Sequence, residues 1–225
     1  TLADAIRPSY RALVLVGAYG GLRIGELAGL RRSRVDLLRG TVQVAENVVE
    51  VRGVLHVGPP KTRASRRTVG LPRFIVEELA AHLVEPGDPE SFVFTAPQGG
   101  PLRVTGFRAR VWRPATRAAG VDGLRIHDLR HTAVALWIAA GANPKEVAAR
   151  AGHASVSFTL DRYGHLYPEA DTALRDRLDA LYGTAQATPD AAVVRLSRRP
   201  GRGPSVAPGA PGNDKSVADD GPTTL

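Results

Sequence analysis

The 225-residue chain contains no cysteine, which excludes a disulfide scaffold, a cysteine-type zinc site and a thiol nucleophile together. Methionine is also absent, and an amphipathic pattern is running within a few residues of Thr1. That start predicts a piece cut from a longer protein, with one or more domains upstream. Lysine is scarce: of 30 basic residues 27 are Arg, and Lys occurs only at Lys61, Lys145 and Lys215. Aromatic residues make up 5% of the chain, and no helix-like stretch sets a basic face beside large aromatics, which argues against a membrane-surface partner. No segment reads as a signal peptide, and no apolar run reaches the ~18 residues of a membrane span. A soluble chain located in the cytoplasm is expected.

What the chain does have is positive charge and a core. Lys and Arg outnumber Asp and Glu by 30 to 22, a net +8, while 43% of residues are hydrophobic. The balance favours a polyanionic partner, and the apolar fraction is too high for wholesale disorder. From Thr184 onward the text turns rich in Pro, Gly, Ser and Asp without periodicity, the composition of a disordered tail. That tail holds five basic and four acidic residues, so seven of the eight net charges belong to the part expected to fold, residues 1–183.

Within that part, RPSYRALVLVGAYG has helical apolar spacing and stops at Gly20-Gly21. A second helix is expected from about Ile24. TVQVAENVVEVRGVLHVG alternates like strands, and RRTVGL reads as a further short strand. LPRFIVEELAAHLV is a helix opened by Pro72, and from Val104 on helical patterns dominate. The expected fold class is α+β, mainly helical, with one small antiparallel sheet inserted near the N-terminal part.

Four segments carry residues suited to chemistry. GLRIGEL sets Arg23 and Glu26 one helical turn apart, and PPKTRASRRTV puts Lys61 in a turn between strand-like runs. HDLRHT gathers His127, Arg130 and His131, while AGHASVSFTLDRYGHL carries His153 and, ten residues on, Tyr163. Each has a structural reading. Arg23 and Glu26 make an ordinary ion pair. His127 and His131 have the spacing of a metal pair, but the Glu of HExxH and a third ligand are missing. His153 fits a cap or the core, and Tyr163 and Tyr167 fit a core. Lys61 is harder to dismiss, because every other basic residue in the first 144 positions is Arg. Arg keeps its proton near neutral pH, whereas a Lys crowded by Arg63, Arg66 and Arg67 can give one up.

Together these residues suit metal-free phosphoryl transfer. Arginine forks and a histidine neutralise charge on a pentavalent phosphorane, a tyrosine attacks phosphorus, and a lysine protonates the departing sugar oxygen. Net positive charge supplies attraction to a nucleic-acid backbone.

In order and at domain-scale spacing, GLRIGEL, PKTRASRRTV, HDLRHT and GHASVSFTLDRYGHL resemble the catalytic domain of the tyrosine recombinases, the phage integrase family, over about Arg7 to Tyr182. The resemblance implies roles. Arg23, His127 and Arg130 would contact the scissile phosphate, with Glu26 orienting the site. Lys61 would be the general acid, His153 would hydrogen-bond a phosphate oxygen, and Tyr163 would be the nucleophile. His131 would be structural. It further implies double-stranded DNA as partner, a homotetramer on paired sites, DNA-binding domains upstream, no cofactor or metal, and a bacterial or phage-infected host.

One feature departs from the pattern. Tyr163 lies ten residues after His153, where many members have nine, which would set its helix one residue out of step and makes Tyr167 the alternative. Two rival readings stay open beside the recombinase: a DNA-binding module that does not cut, and a type IB topoisomerase-like enzyme.

Overall fold

The computed structural model describes residues 1–60, 62–167 and 170–187. Lys61 lies outside the described residues, as does most of the Pro/Gly-rich segment, from residue 188 on. Thr1–Leu174 make one unit and a second begins at Arg175.

The chain opens with α1 (Leu2–Ala5), a 3-10 turn at Pro8–Tyr10, α2 (Arg11–Gly20) and α3 (Ile24–Ala28). Five short strands follow: β1 (Val35–Asp36), β2 (Thr41–Val44), β3 (Asn47–Val51), β4 (Val54–Gly58) and β5 (Arg67–Gly70). Then come α4 (Arg73–His82), α5 (Val104–Phe107), a π-helical turn at Arg108–Trp112 and α6 (Arg113–Ala118). The remaining helices are α7 (Asp128–Ala139), α8 (Pro144–Ala151), α9 (Val156–Tyr163) and α10 (Ala170–Ala187). The mainly helical α+β architecture is the one expected. Helix α10 runs four residues past the expected boundary at Gly183.

Local chemistry sets the helix ends. Asn143 caps α8 by accepting from the Lys145 and Glu146 amides at 3.0 Å, and Glu146 returns a bond to the Asn143 amide. Ser155 caps α9 through the Phe158 amide. Helix α2 ends where Gly21 takes φ +67, a conformation that suits glycine. A Cβ at Gly21 would sit 2.4 Å from the Trp137 ring, so this glycine also lets α7 close on α2.

The strands differ from expectation in one respect. They form two sheets, a three-stranded β1-β2-β5 sheet and a separate β3-β4 hairpin, all antiparallel. Ala45 and Glu46 interrupt the alternation between β2 and β3. The Glu46 carboxylate accepts a hydrogen bond from Arg31 Nε at 2.9 Å just before β3 begins.

The main core gathers Leu13 and Val16 of α2, Leu27 of α3, Val42 and Val69 of the sheet, Ile75 and Leu79 of α4, Phe94 and Trp112. A second cluster joins Val134 and Ile138 of α7 to Val147 and Ala151 of α8, and takes in the ring of Tyr163. The last residue of α9 is thereby fixed by packing on both α7 and α8.

Candidate active site

Arg23 sits at the N-terminal boundary of α3, its backbone still extended, so its side chain leaves the helix start toward α8. Its Nη1 donates to Glu26 Oε1 at 2.8 Å, and its Nη2 donates to the Gly152 carbonyl. Glu26 is buried and takes a second guanidinium, that of Arg67 on β5, through Nη1 and Nη2 at 3.1 and 3.0 Å. Burial alone would push the Glu26 carboxyl up. The bonds and charge of Arg67, with the Arg23 amide and guanidinium, outweigh it and hold the group below its usual range.

Arg130, in the first turn of α7, is 3% exposed. Its Nη1 donates to the Gly21 carbonyl at 2.7 Å and its Nη2 to the Ala151 carbonyl at 2.6 Å. Both acceptors are helix C-terminal carbonyls, where cations are favoured. Burial, with Arg23 and Arg67 nearby, pulls this guanidinium down to about 10. It is a desolvated cation bonded to neutral oxygens, which makes an anion beside it favourable.

His153 follows Gly152, whose φ of +67 ends α8 and turns the chain back toward α3. The imidazole is 9% exposed, and its Nδ1 shares a hydrogen with Thr159 Oγ1 at 2.8 Å. Burial, then Arg130, Arg23 and Arg67, lowers it from 6.5 to about 4, so the ring is neutral at pH 7. Because the folded value lies below the unfolded one, the unfolded chain takes up this proton first. Stability is therefore expected to fall as pH drops from about 6.5 toward about 4, by up to about 3 kcal/mol. Urea unfolding of wild type and His153→Gln across that window checks it. The variant's curve should be flatter, and an equally steep one refutes the assignment.

The Tyr163 ring stacks on His153, centroids 6.2 Å apart and planes 8° from parallel. Its hydroxyl lies 2.7 Å from His131 Nδ1. Burial raises the phenol above its ordinary value, with Arg130 and Arg162 pulling the other way. His127 meets the edge of His131 at 4.8 Å and is pushed below the usual imidazole range by partial desolvation and by His131, Arg130 and Arg23.

Arg23, His127, Arg130, His153 and Tyr163 thus line one cleft of about 360 Å³. Glu26 lies behind it, bonded to Arg23. The extra residue between His153 and Tyr163 does not carry the tyrosine away from this cleft. Tyr167, the alternative, keeps its hydroxyl buried without a hydrogen-bond partner and packs on the second core cluster. Lys61 lies outside the described residues.

Sequence reasoning missed three contributors. Arg67, in the sequence a cation crowding Lys61, turns its side chain inward onto Glu26, and its Nε donates to the Arg150 carbonyl. Arg125 and Arg162 add two guanidinium groups to the cleft. A run such as RRTV holds no local signal that one Arg points inward. For Arg162, its place next to Tyr163 at the end of a short helix was the available clue. A larger cleft of about 770 Å³ between the two sheets, bordered by Arg31, Arg34 and Arg66, contains neither histidine nor tyrosine. Among the described residues no cluster of three or more His, Asp or Glu has the arrangement of a metal site, and no helix is long and apolar enough to cross a membrane.

The model of the phage integrase family matches residues 2–170. A putative prophage phiRv2 integrase of Mycobacterium tuberculosis is 34% identical over 186 residues, covering 80% of this chain and 49% of that protein. The ICEBs1 integrase of Bacillus subtilis is 29% identical, covering 76% and 49%. The chain therefore spans about half the length of these relatives. Among solved structures, the Tn1549 transposon integrase in complex with circular intermediate DNA superposes with a TM-score of 0.62 at 23% identity, over 76% of this chain and 59% of that one. The catalytic domain of bacteriophage HP1 integrase gives 0.54 at 17% identity, over 84% and 93%. The fold is that of these integrases, and with the family model matching well over half of its residues, the chain belongs to the phage integrase family.

Proposed function

We propose that this chain carries the catalytic domain of a site-specific DNA recombinase, assigned to residues 1–183, which cuts and rejoins strands through a 3′-phosphotyrosyl intermediate. One observation carries the reading. Tyr163 lines the same cleft as Arg130, a buried guanidinium whose hydrogen bonds go to carbonyls. A phosphodiester between them meets a nucleophile on one side and preorganised positive charge on the other.

Tyr163 Oη attacks phosphorus, the P–O5′ bond breaks, and Lys61 protonates the departing O5′. Arg23 and Arg130 take up the charge that grows on the non-bridging oxygens. His153, neutral and fixed through Nδ1, has Nε2 left to donate to one of them, and His127 lines the same cleft. Glu26, clamped by Arg67, keeps Arg23 in place. In the second half, the 5′-hydroxyl of a partner strand attacks the phosphotyrosine and releases Tyr163. One phosphoester replaces another of similar energy, so neither ATP nor a metal enters the scheme.

The partner is double-stranded DNA, in the cytoplasm of a bacterial or phage-infected host. The net positive charge and the family relationship to prophage integrases support this. Strand exchange between two sites calls for a homotetramer. In support, α10 carries exposed Leu174, Leu178, Leu181 and Tyr182 at helical spacing, a stripe suited to a neighbouring protomer.

The test uses nicked suicide duplexes tiled across candidate attachment regions. Wild type is expected to give an SDS-resistant, protease-sensitive DNA adduct. No adduct on DNA that is demonstrably bound would favour a non-cutting module and overturn the reading. Lys61→Ala should cleave ordinary DNA about 10²–10⁴-fold more slowly and recover on a bridging 5′-thiolate substrate, whose leaving group needs no proton. Wild-type cleavage of ordinary DNA by Lys61→Ala would remove this lysine from the mechanism.

A further inference from the structure

Attack by a phenol requires that its proton go somewhere, and the scheme above leaves that acceptor unassigned. Glu26 is closed off by Arg23 and Arg67. His153 presents its ring face to Tyr163, and its Nδ1 is held by Thr159. Asp128 is taken by the Arg125 guanidinium at 2.8 Å. The group on the phenol itself is His131, whose Nδ1 is 2.7 Å from Oη.

We infer that His131 is a catalytic residue of this site, accepting the Tyr163 proton on Nδ1 as Oη attacks phosphorus. The inference rests on the reading of Tyr163 as nucleophile. In the step, the O–H bond of Tyr163 breaks and its proton moves to Nδ1, while the Oη–P bond forms. The P–O5′ bond breaks with its electron pair on O5′, which takes a proton from Lys61. In the resealing half, the 5′-hydroxyl of the partner strand gives its proton to the now neutral Lys61 as O5′ bonds phosphorus, the P–Oη bond breaks, and the imidazolium returns its proton to the departing phenolate.

The surroundings fit this role. His131 lies one turn after His127 on α7 and faces α9 across the Tyr163 ring. Burial lowers its affinity for a proton, as do Arg162 from α9, Arg125 from the segment before α7 and Arg130 on α7, while Asp128 opposes them. The His127 ring edge completes the surroundings. The imidazole is thus held neutral, with a lone pair for the phenol. The phenol is itself held protonated by burial, so a base beside it has work to do.

The test compares single-turnover adduct formation on a nicked suicide duplex for wild type, Tyr163→Phe and His131→Asn, from about pH 5.5 to 9. Asn offers the phenol a hydrogen bond but cannot take its proton. Wild type should rise with pH through the imidazole titration and then level off. His131→Asn should bind DNA normally and react about 10²–10⁴-fold more slowly, without that levelling, because its rate follows phenol ionisation instead. A wild-type rate and profile in His131→Asn overturns the inference while leaving Tyr163 as nucleophile. An adduct that persists in Tyr163→Phe overturns both. A second measurement needs no activity: by NMR of the protein alone, Tyr163→Phe should raise the His131 titration midpoint, since the phenol no longer favours the neutral ring. An unmoved midpoint overturns the inference.

Discussion

Tyr163→Phe is expected to bind DNA as wild type does and to form no covalent adduct. The substitution removes one oxygen and leaves the ring where it packs, against Val134, Val147 and Ala151. The Tyr163 side chain is part of a core cluster, so the fold keeps its apolar contact and loses only the bond to His131. A net hydrogen bond of this kind contributes about 0.5–1.5 kcal/mol, which sets the expected loss of stability. Adduct formation, by contrast, should fall to background, because among the described residues that line the cleft no other carries a hydroxyl. Gel analysis of suicide-duplex reactions reads the adduct, and a mobility shift on the same samples reads binding. Persistence of the adduct would move the nucleophile, with Tyr167 the next tyrosine to test.

Arg130→Lys is the second substitution with a large expected effect. The guanidinium reaches two carbonyls from different parts of the chain, Gly21 after α2 and Ala151 at the end of α8. A lysine keeps the charge but cannot span both acceptors and also meet a phosphate oxygen, since it lacks the planar fork. Cleavage should slow by about 10²–10³-fold, the range for losing a donor aimed at developing charge. DNA affinity should change far less, because one phosphate contact among many is involved. Single-turnover cleavage beside a binding isotherm separates the two. Arg130→Ala goes further and removes a charge that holds down His153. The His153 midpoint, about 4 in the wild type, should then move upward in an NMR titration. Cleavage by Arg130→Lys at the wild-type rate would exclude the fork from the mechanism.

Much of the molecule is legible in the order of residues alone, wherever the determinant is local. Gly21 and Gly152 end helices through a backbone conformation that suits glycine, and Pro72 and Asn143 open them. The alternation of TVQV and NVVEV marks strands whichever sheet they join. The four short motifs hold Arg23, His127, Arg130, His153 and Tyr163 of the cleft, and Glu26 beside them, because their chemistry is carried by residue type and short spacing.

What the sequence left open depends on partners distant along the chain. Arg67 meets Glu26 across 41 residues, Arg130 meets Gly21 across 109, and His131 meets Tyr163 across 32. No periodicity encodes such pairs, since each follows from how α2, α7, α8, α9 and β5 pack. The division of the strands into two sheets is likewise absent from their alternation, which marks a strand without naming its partner. The sequence by itself determined which side chains this protein has for phosphoryl chemistry and where its elements start and stop. Only the tertiary structure decided which of them share a cleft, because burial and the loss of competing water are set by packing.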